Sequence, residues 1–227
     1  MNTAKIDEFY SLLEDYYFSQ RPPSVTQISD RCKKDPFRVL ISTIISLRTK
    51  DSVTLKASES LFELAAEPVK MMNLSEDEII NAIYPAGFYR RKAVTIKDIC
   101  KDIVERFDGK VPADLDKLLS LKGVGRKTAN LVLVEGFEMD AVCVDTHVHR
   151  ICNRAGFVKT KTPDETEMRL REILPVKYWK KWNEMLVSYG QKVCKPRGPT
   201  CSSCKLFHLC DKVGVKIKGD SHETPDR

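Results

Sequence analysis

No stretch of this sequence reaches the roughly 18–20 consecutive apolar residues that a membrane span needs. The first eight residues form no apolar signal region, and their early acids argue against a transit peptide. The expectation is a protein that stays in the reducing compartment where it is made. That would be cytoplasmic and nucleoid-associated in a prokaryote, nuclear in a eukaryote. Glycine (10) and proline (11) are not in excess among 227 residues, which excludes collagen-like and long low-complexity tracts. Alternating apolar and polar runs bounded by turn residues are scarce, so sheet architectures are disfavoured. No internal repeat at solenoid spacing is evident.

What is present is an ordinary globular composition, 42% hydrophobic and 31% charged, with a net charge of +6. The length allows one large domain or two small lobes, each with its own core. The basic balance is compatible with a polyanionic partner. Helical spacing recurs along the chain. Ile6, Phe9, Tyr10, Leu13, Tyr16 and Tyr17 mark one amphipathic helix over residues 5–19. Asp35-Pro36 offers an N-cap followed by proline at the first helical position, ahead of the almost wholly apolar run from Phe37 to Leu47. Ser75 and Glu78 predict a capping box, and Thr162 with Glu165 repeats the device. Trp179, Trp182, Met185, Leu186 and Tyr189 mark the buried stripe of a later helix. The reading is all-α, with a polar tail at 215–227 that has little to bury and is expected to be disordered.

The most informative segment runs from Leu118 to Phe137. Residues from Pro112 to Leu121 read as a short helix, followed by Lys122-Gly123-Val124-Gly125 and a second helix opening at Arg126-Lys127-Thr128. Two glycines at this spacing permit a tight hairpin and a close backbone approach. Val124 would plug the loop. The free N–H groups and the positive dipole end at the start of the second helix make an anion site, suited to a DNA phosphate without sequence readout. A bare Gly-x-Gly also fits a plain corner between helices. The whole run Leu121 to Ala129, together with Val142-Cys143-Val144-Asp145-Thr146-His147 beyond it, carries the reading further.

Four of the eight cysteines are scattered, and four crowd together as Cys194-x6-Cys201-x2-Cys204-x5-Cys210. In a protein that is not secreted, such crowding suggests a metal centre rather than disulfides. The spacing alone leaves zinc and iron–sulfur both open. His147 and His149 lie two apart on an expected helix, so their side chains diverge and no metal is assigned to them.

From about Pro36 to Cys210 the chain resembles the endonuclease III family of DNA glycosylases, the helix–hairpin–helix-GPD superfamily. The hairpin, Lys127, Asp145 and the 6-2-5 cysteine spacing all have counterparts there. The segment Ala86-Gly87-Phe88-Tyr89-Arg90-Arg91-Lys92-Ala93 looks like that family's strand-wedging loop. The resemblance implies a two-lobed fold: a helical barrel at 29–139, and a second lobe of 1–28 plus 140–214 holding a [4Fe–4S] cluster on Cys194, Cys201, Cys204 and Cys210. It implies excision of oxidised pyrimidines such as thymine glycol from duplex DNA in base excision repair, followed by β-elimination. The partner is double-stranded DNA bearing a damaged base or an abasic site. A monomer is the default, with no membrane association.

Such chemistry requires the nucleotide to be turned out of the stack. A lysine amine attacking the sugar leaves a Schiff base that makes elimination easy. By position Lys127 is the expected nucleophile, in a first helical turn where negative charge is favoured over positive. Asp145, at the expected N-cap of the helix from Thr146 to Ala155, is the catalytic carboxylate by resemblance. Gly123, Val124, Gly125 and Arg126 are the expected phosphate contacts of the hairpin. Lys195 and Arg197, between the first two cysteines, suit phosphate binding as well. Arg48 and Phe88 stand where family members often carry glutamine and leucine as wedge residues, a departure that bears on opposite-base preference. Two alternatives share much of this pattern. One is a monofunctional glycosylase for mismatched adenine or thymine, whose members usually lack lysine at the place of Lys127. The other is a non-enzymatic iron–sulfur DNA-binding protein, which has no need of Lys127 with Asp145.

Overall fold

The computed structural model describes residues 3–216, so the expected disorder of the tail falls, from residue 217 onward, outside the described residues. Twelve α-helices follow one another among these residues, with no strand. They are α1 (Thr3–Phe18), α2 (Ser24–Arg31), α3 (Pro36–Ser46), α4 (Asp51–Leu64), α5 (Pro68–Met72) and α6 (Glu76–Ile83). Then come α7 (Tyr89–Phe107), α8 (Leu115–Leu119), α9 (Arg126–Phe137), α10 (Thr146–Arg154), α11 (Pro163–Ile173) and α12 (Trp179–Lys192). Single 3₁₀ turns lie at Val176–Tyr178, Cys201–Ser203 and Phe207–Leu209.

Side-chain caps set many of the helix starts. Asp35 accepts a hydrogen bond from the Arg38 amide at 2.9 Å, with Pro36 opening α3 behind it. Ser75 and Glu78 form the reciprocal box expected of them. Thr162 caps α11 through the Glu165 amide, but only half of the second box forms. The Glu165 carboxylate reaches one residue further back, to the Lys161 amide at 2.8 Å. The expected helix from Pro112 is also shorter than its pattern, beginning at Leu115 because Asp114 takes the capping place and bonds the Lys117 amide.

Two separate hydrophobic cores result. The first runs from Val25 to Cys143 and centres on α3, whose Val39, Leu40, Ile41, Ile44 and Ile45 are fully buried. Each such side chain contributes about 1.5–3 kcal/mol relative to exposure. α3 packs chiefly on α9, with α2, α4 and α7 around it. The second core joins α1 to α10 and α12, with Trp182 stacked on Tyr10 and tilted against Phe9 and Phe157. The two meet along an extended segment, residues 141–144, whose side chains alternate: Ala141 and Cys143 enter the first core, Val142 and Val144 the second. Asp145 is the next residue, so this crossing fixes its position between the cores.

Candidate active site and nucleic-acid interface

The hairpin is built on α7. Gly123 has φ +84°, and a β-carbon there would meet the Thr95 methyl at 2.6 Å, so glycine is required twice over. The Lys122 ammonium pairs with Asp98 at 2.7 Å, while the Lys122 amide donates to Asp102. Val124 is buried beside Leu118 and Leu121, which gives it the plug's place. Gly125 differs from Gly123. Its φ is −97°, and a β-carbon would have nothing within 4 Å. Gly125 precedes α9 without any side-chain cap, whereas α3, α6, α8, α10 and α11 all have one. The amides opening α9 are therefore left free of a side-chain acceptor.

Lys127 stands in that first turn, half-buried, and lines a cleft of about 1020 Å³. Asp145 lines the same cleft from the start of α10. Its Oδ1 accepts both cap bonds, from the His147 amide at 2.8 Å and the Val148 amide at 2.9 Å. Oδ2 has no hydrogen-bond partner among the described residues. The Lys127 ammonium likewise has no ion pair or hydrogen bond among them, although its carbonyl oxygen accepts from the Cys143 thiol at 3.5 Å. The inner face of α10, with Val148, Ile151 and Cys152 buried and Ala155 just beyond, is as expected.

Arg126, the neighbour of Lys127, is committed elsewhere. Its guanidinium grips Glu167 of α11 with two bonds, at 2.9 and 2.6 Å, and Arg171 adds a third at 3.0 Å. Burial alone would raise the Glu167 carboxyl, but the bonds from Arg126 and Arg171 outweigh it and hold its pKa below the ordinary glutamate range. His147 and His149 do diverge. His147 lines the cleft and takes a bond from Arg150, whereas His149 meets Thr166 at 2.7 Å. Burial lowers the His147 pKa, which favours the neutral ring.

Arg48 and Phe88 sit together on the rim of the cleft. Both are exposed, Phe88 by 57%, which removes it from the core. Both adopt left-handed backbone, at φ +53° and +57°, and the Arg48 guanidinium lies over the Phe88 ring at 5.6 Å. An uncommon conformation for a bulky side chain is held here by its surroundings. Phe88 directly precedes α7, so most of the supposed loop after it is helix.

The four clustered cysteines line one small pocket after α12. None is in a disulfide. Polar groups lie against three sulfurs: Arg154 donates to Cys194 (3.4 Å), the Lys212 amide donates to Cys210 (3.4 Å), and the Tyr189 hydroxyl shares a hydrogen bond with Cys204 (3.1 Å). No three His, Cys, Asp or Glu side chains among the described residues come together as a single-ion site. Four soft sulfur donors around a shared pocket are the donor set of a sulfur-ligated metal centre. Lys195 and Arg197 are exposed on this loop. Two residues that sequence reasoning missed anchor it to α10. Arg150 donates to the Cys194 carbonyl and Arg154 to those of Lys195 and Pro196. Their only sequence signal was a four-residue spacing along one helix.

A family profile described as HhH-GPD superfamily base excision DNA repair protein matches residues 41–176. The chain is also 46% identical over 193 residues to Endonuclease III of Thermotoga maritima, spanning 85% of this chain and 91% of that one. The chain belongs to the endonuclease III family. Its enzyme class is therefore DNA glycosylase and abasic-site lyase, acting in base excision repair. A solved structure of the family, described as a trapped endonuclease III–DNA covalent intermediate in an estranged-adenine complex, superposes with a TM-score of 0.81. It is 30% identical, covering 93% of this chain and 97% of that chain. A thermostable thymine-DNA glycosylase superposes with a TM-score of 0.80 at 22% identity, covering 92% and 97%, a likeness of fold alone. No helix among the described residues is long and apolar enough to cross a membrane.

Proposed function

We propose that this endonuclease III family enzyme removes oxidised pyrimidines, thymine glycol among them, from duplex DNA and nicks the strand by β-elimination through Lys127. The observation that carries the reading is that Lys127 and Asp145 line one cleft, with the lysine engaged by no carboxylate among the described residues. The damaged nucleotide enters the cleft. The Lys127 amine attacks the anomeric carbon, and the bond to the base breaks. The base leaves with the electron pair and takes up a proton. The bond from that carbon to the ring oxygen then opens, the oxygen is protonated, and an imine joins Lys127 to the sugar. Loss of a proton from C2′ expels the 3′ phosphate, and water finally hydrolyses the imine. Asp145 Oδ2, without a hydrogen-bond partner among the described residues while Oδ1 caps α10, takes the proton from the attacking amine and stabilises positive charge developing on the sugar. The related solved structure of a trapped covalent intermediate between an endonuclease III and DNA supports this reading.

The duplex contacts follow from what is exposed. Gly123, Gly125 and the uncapped start of α9 take a phosphate, whereas Val124, expected among these contacts, is buried and its amide already donates to the Leu121 carbonyl. Arg126 contributes its backbone N–H, because its side chain is held by Glu167. Lys195 and Arg197 meet the backbone further along. Arg48 and Phe88 enter the gap left by the extruded nucleotide. The lobes drawn at 29–139 and at 1–28 with 140–214 clasp one duplex as a monomer; α2, which that boundary divides, packs on α3, α4 and α9 of the first lobe.

Cys194, Cys201, Cys204 and Cys210 would hold a [4Fe–4S] cluster. It would supply a rigid cross-link of residues 194–210, with all four protein positions filled by thiolate. Iron and sulfide in a ratio of one in the purified protein support it; zinc in their place contradicts it.

The test is product analysis on a thymine-glycol duplex. A strand nicked at the lesion, with an unsaturated sugar on its 3′ end, is expected. An intact abasic strand would mean a water-using glycosylase, and no product would turn the search to other bases.

A further inference from the structure

Lys92 is the most deeply buried lysine among the described residues, 6% exposed, and no carboxylate among them pairs with it. Its ammonium donates to the Ile45 carbonyl at 2.6 Å, the Leu47 carbonyl at 2.7 Å and the Thr49 hydroxyl at 2.8 Å. Three donors meet three acceptors, so the group is satisfied without a counter-ion. Two of the acceptors, on Leu47 and Thr49, flank Arg48, and the third lies in the last turn of α3. Thr49 Oγ1 also accepts from the Gly87 amide at 3.0 Å, which ties the turn at 46–50 to the residue before Phe88. A β-carbon on Gly87 would collide with the Arg48 carbonyl oxygen, so the two turns are in contact at their backbones. Lys92 lines the cleft beneath both.

A buried cation is costly, and burial pushes the Lys92 amine down to about 8. An apolar side chain would fill the same space without that cost. What the cation supplies is order in two adjoining turns, each holding one bulky residue in left-handed backbone.

We infer that Lys92 is a positioning residue that fixes Arg48 and Phe88 as one rigid wedge. The inference rests on the reading of that pair as the residues that fill the vacated stack. The wedge itself carries the contact with DNA, and Lys92 acts through it. Its effect is therefore confined to the step in which a nucleotide leaves a duplex.

The test uses the full chain and two substrates. One is a thymine-glycol duplex with 2-aminopurine beside the lesion, whose fluorescence rises when it unstacks. The other is a single strand with an abasic site, from which nothing must be extruded. For Lys92→Met the expectation is a loss of about tenfold in excision and in the fluorescence rise, the scale of one hydrogen bond from a charged group. Cleavage of the single strand stays within about twofold, and Lys92→Arg restores part of the duplex activity. Equal losses on both substrates, or none on either, overturn the inference. If Lys92→Met does not fold, Thr49→Val decides, since it removes the shared acceptor; it should depress duplex activity alone. The double variant Arg48→Ala with Phe88→Ala separates the two levels. If it leaves the fluorescence rise intact, the wedge reading fails and the inference with it. If it abolishes the rise while Lys92→Met does not, only the positioning role falls.

Discussion

Arg126 and Glu167 form a two-pronged ion pair that binds the first turn of α9, which carries Lys127, to the middle of α11. The Glu167 side chain is 2% exposed, so its charge depends on the two arginines that hold it. Replacing it by glutamine leaves two guanidinium groups without a carboxylate, and Glu167→Gln should lose roughly 3 kcal/mol in denaturant melts. The sign with pH follows from its lowered pKa. The stabilisation is present above the unfolded value and is lost as pH falls through the folded one. The variant should therefore approach the wild type in acid.

The two hairpin glycines should separate folding from binding. Gly123→Ala meets both a left-handed φ and the Thr95 methyl, and should cost about 1–3 kcal/mol of stability. Gly125→Ala meets nothing in the protein and should cost under about 1 kcal/mol. If a phosphate approaches the uncapped start of α9, Gly125→Ala still weakens duplex binding. Unchanged affinity in titrations at fixed salt would remove the phosphate from this place.

Asp145 caps a helix and faces the cleft, and two substitutions divide these duties. Asp145→Asn keeps a good cap and should fold as well as the wild type, yet lose about a hundredfold or more in excision. Asp145→Ala should lose a similar activity and about 1 kcal/mol of stability besides. Full activity in the asparagine variant would reduce the residue to a cap.

Glu135 lies on α9 two turns beyond Lys127, bonded by the Thr26 hydroxyl at 3.0 Å, with Glu184, Asp30 and Lys181 around it. Burial first, and then the Glu184 charge, raise its pKa to about 7. A raised carboxyl holds its proton better when folded, so the stability it contributes is full below the unfolded value and is lost as pH rises through about 7. Glu135→Gln should accordingly flatten the thermal-melt profile between the unfolded value and pH 7, and stabilise the protein at pH 8.

The helices, the hairpin and the cap at Asp145 were legible because each is written locally. Caps sit within three residues of what they bind, and two glycines with a valine between them specify one tight loop. What was hidden depends on tertiary neighbours. Lys92 falls in a segment that resembles a wedging loop, and nothing local marks its burial against the turn at 45–49. Glu167 sits in a segment of alternating charge that gives no sign of a buried carboxylate. The alternation of Ala141, Val142, Cys143 and Val144 is too short to register as a pattern, yet it sets Asp145 between the two cores. Arg126 was among the expected phosphate contacts, and the commitment of its side chain to α11 depends on a partner 41 residues away.

The most direct test of the account is borohydride trapping on a thymine-glycol duplex, with the adduct digested and its modified residue found by mass spectrometry. The account predicts a reduced sugar on Lys127 and no adduct from Lys127→Ala. An adduct on another amine, or nicking by Lys127→Ala at the wild-type rate, would contradict it.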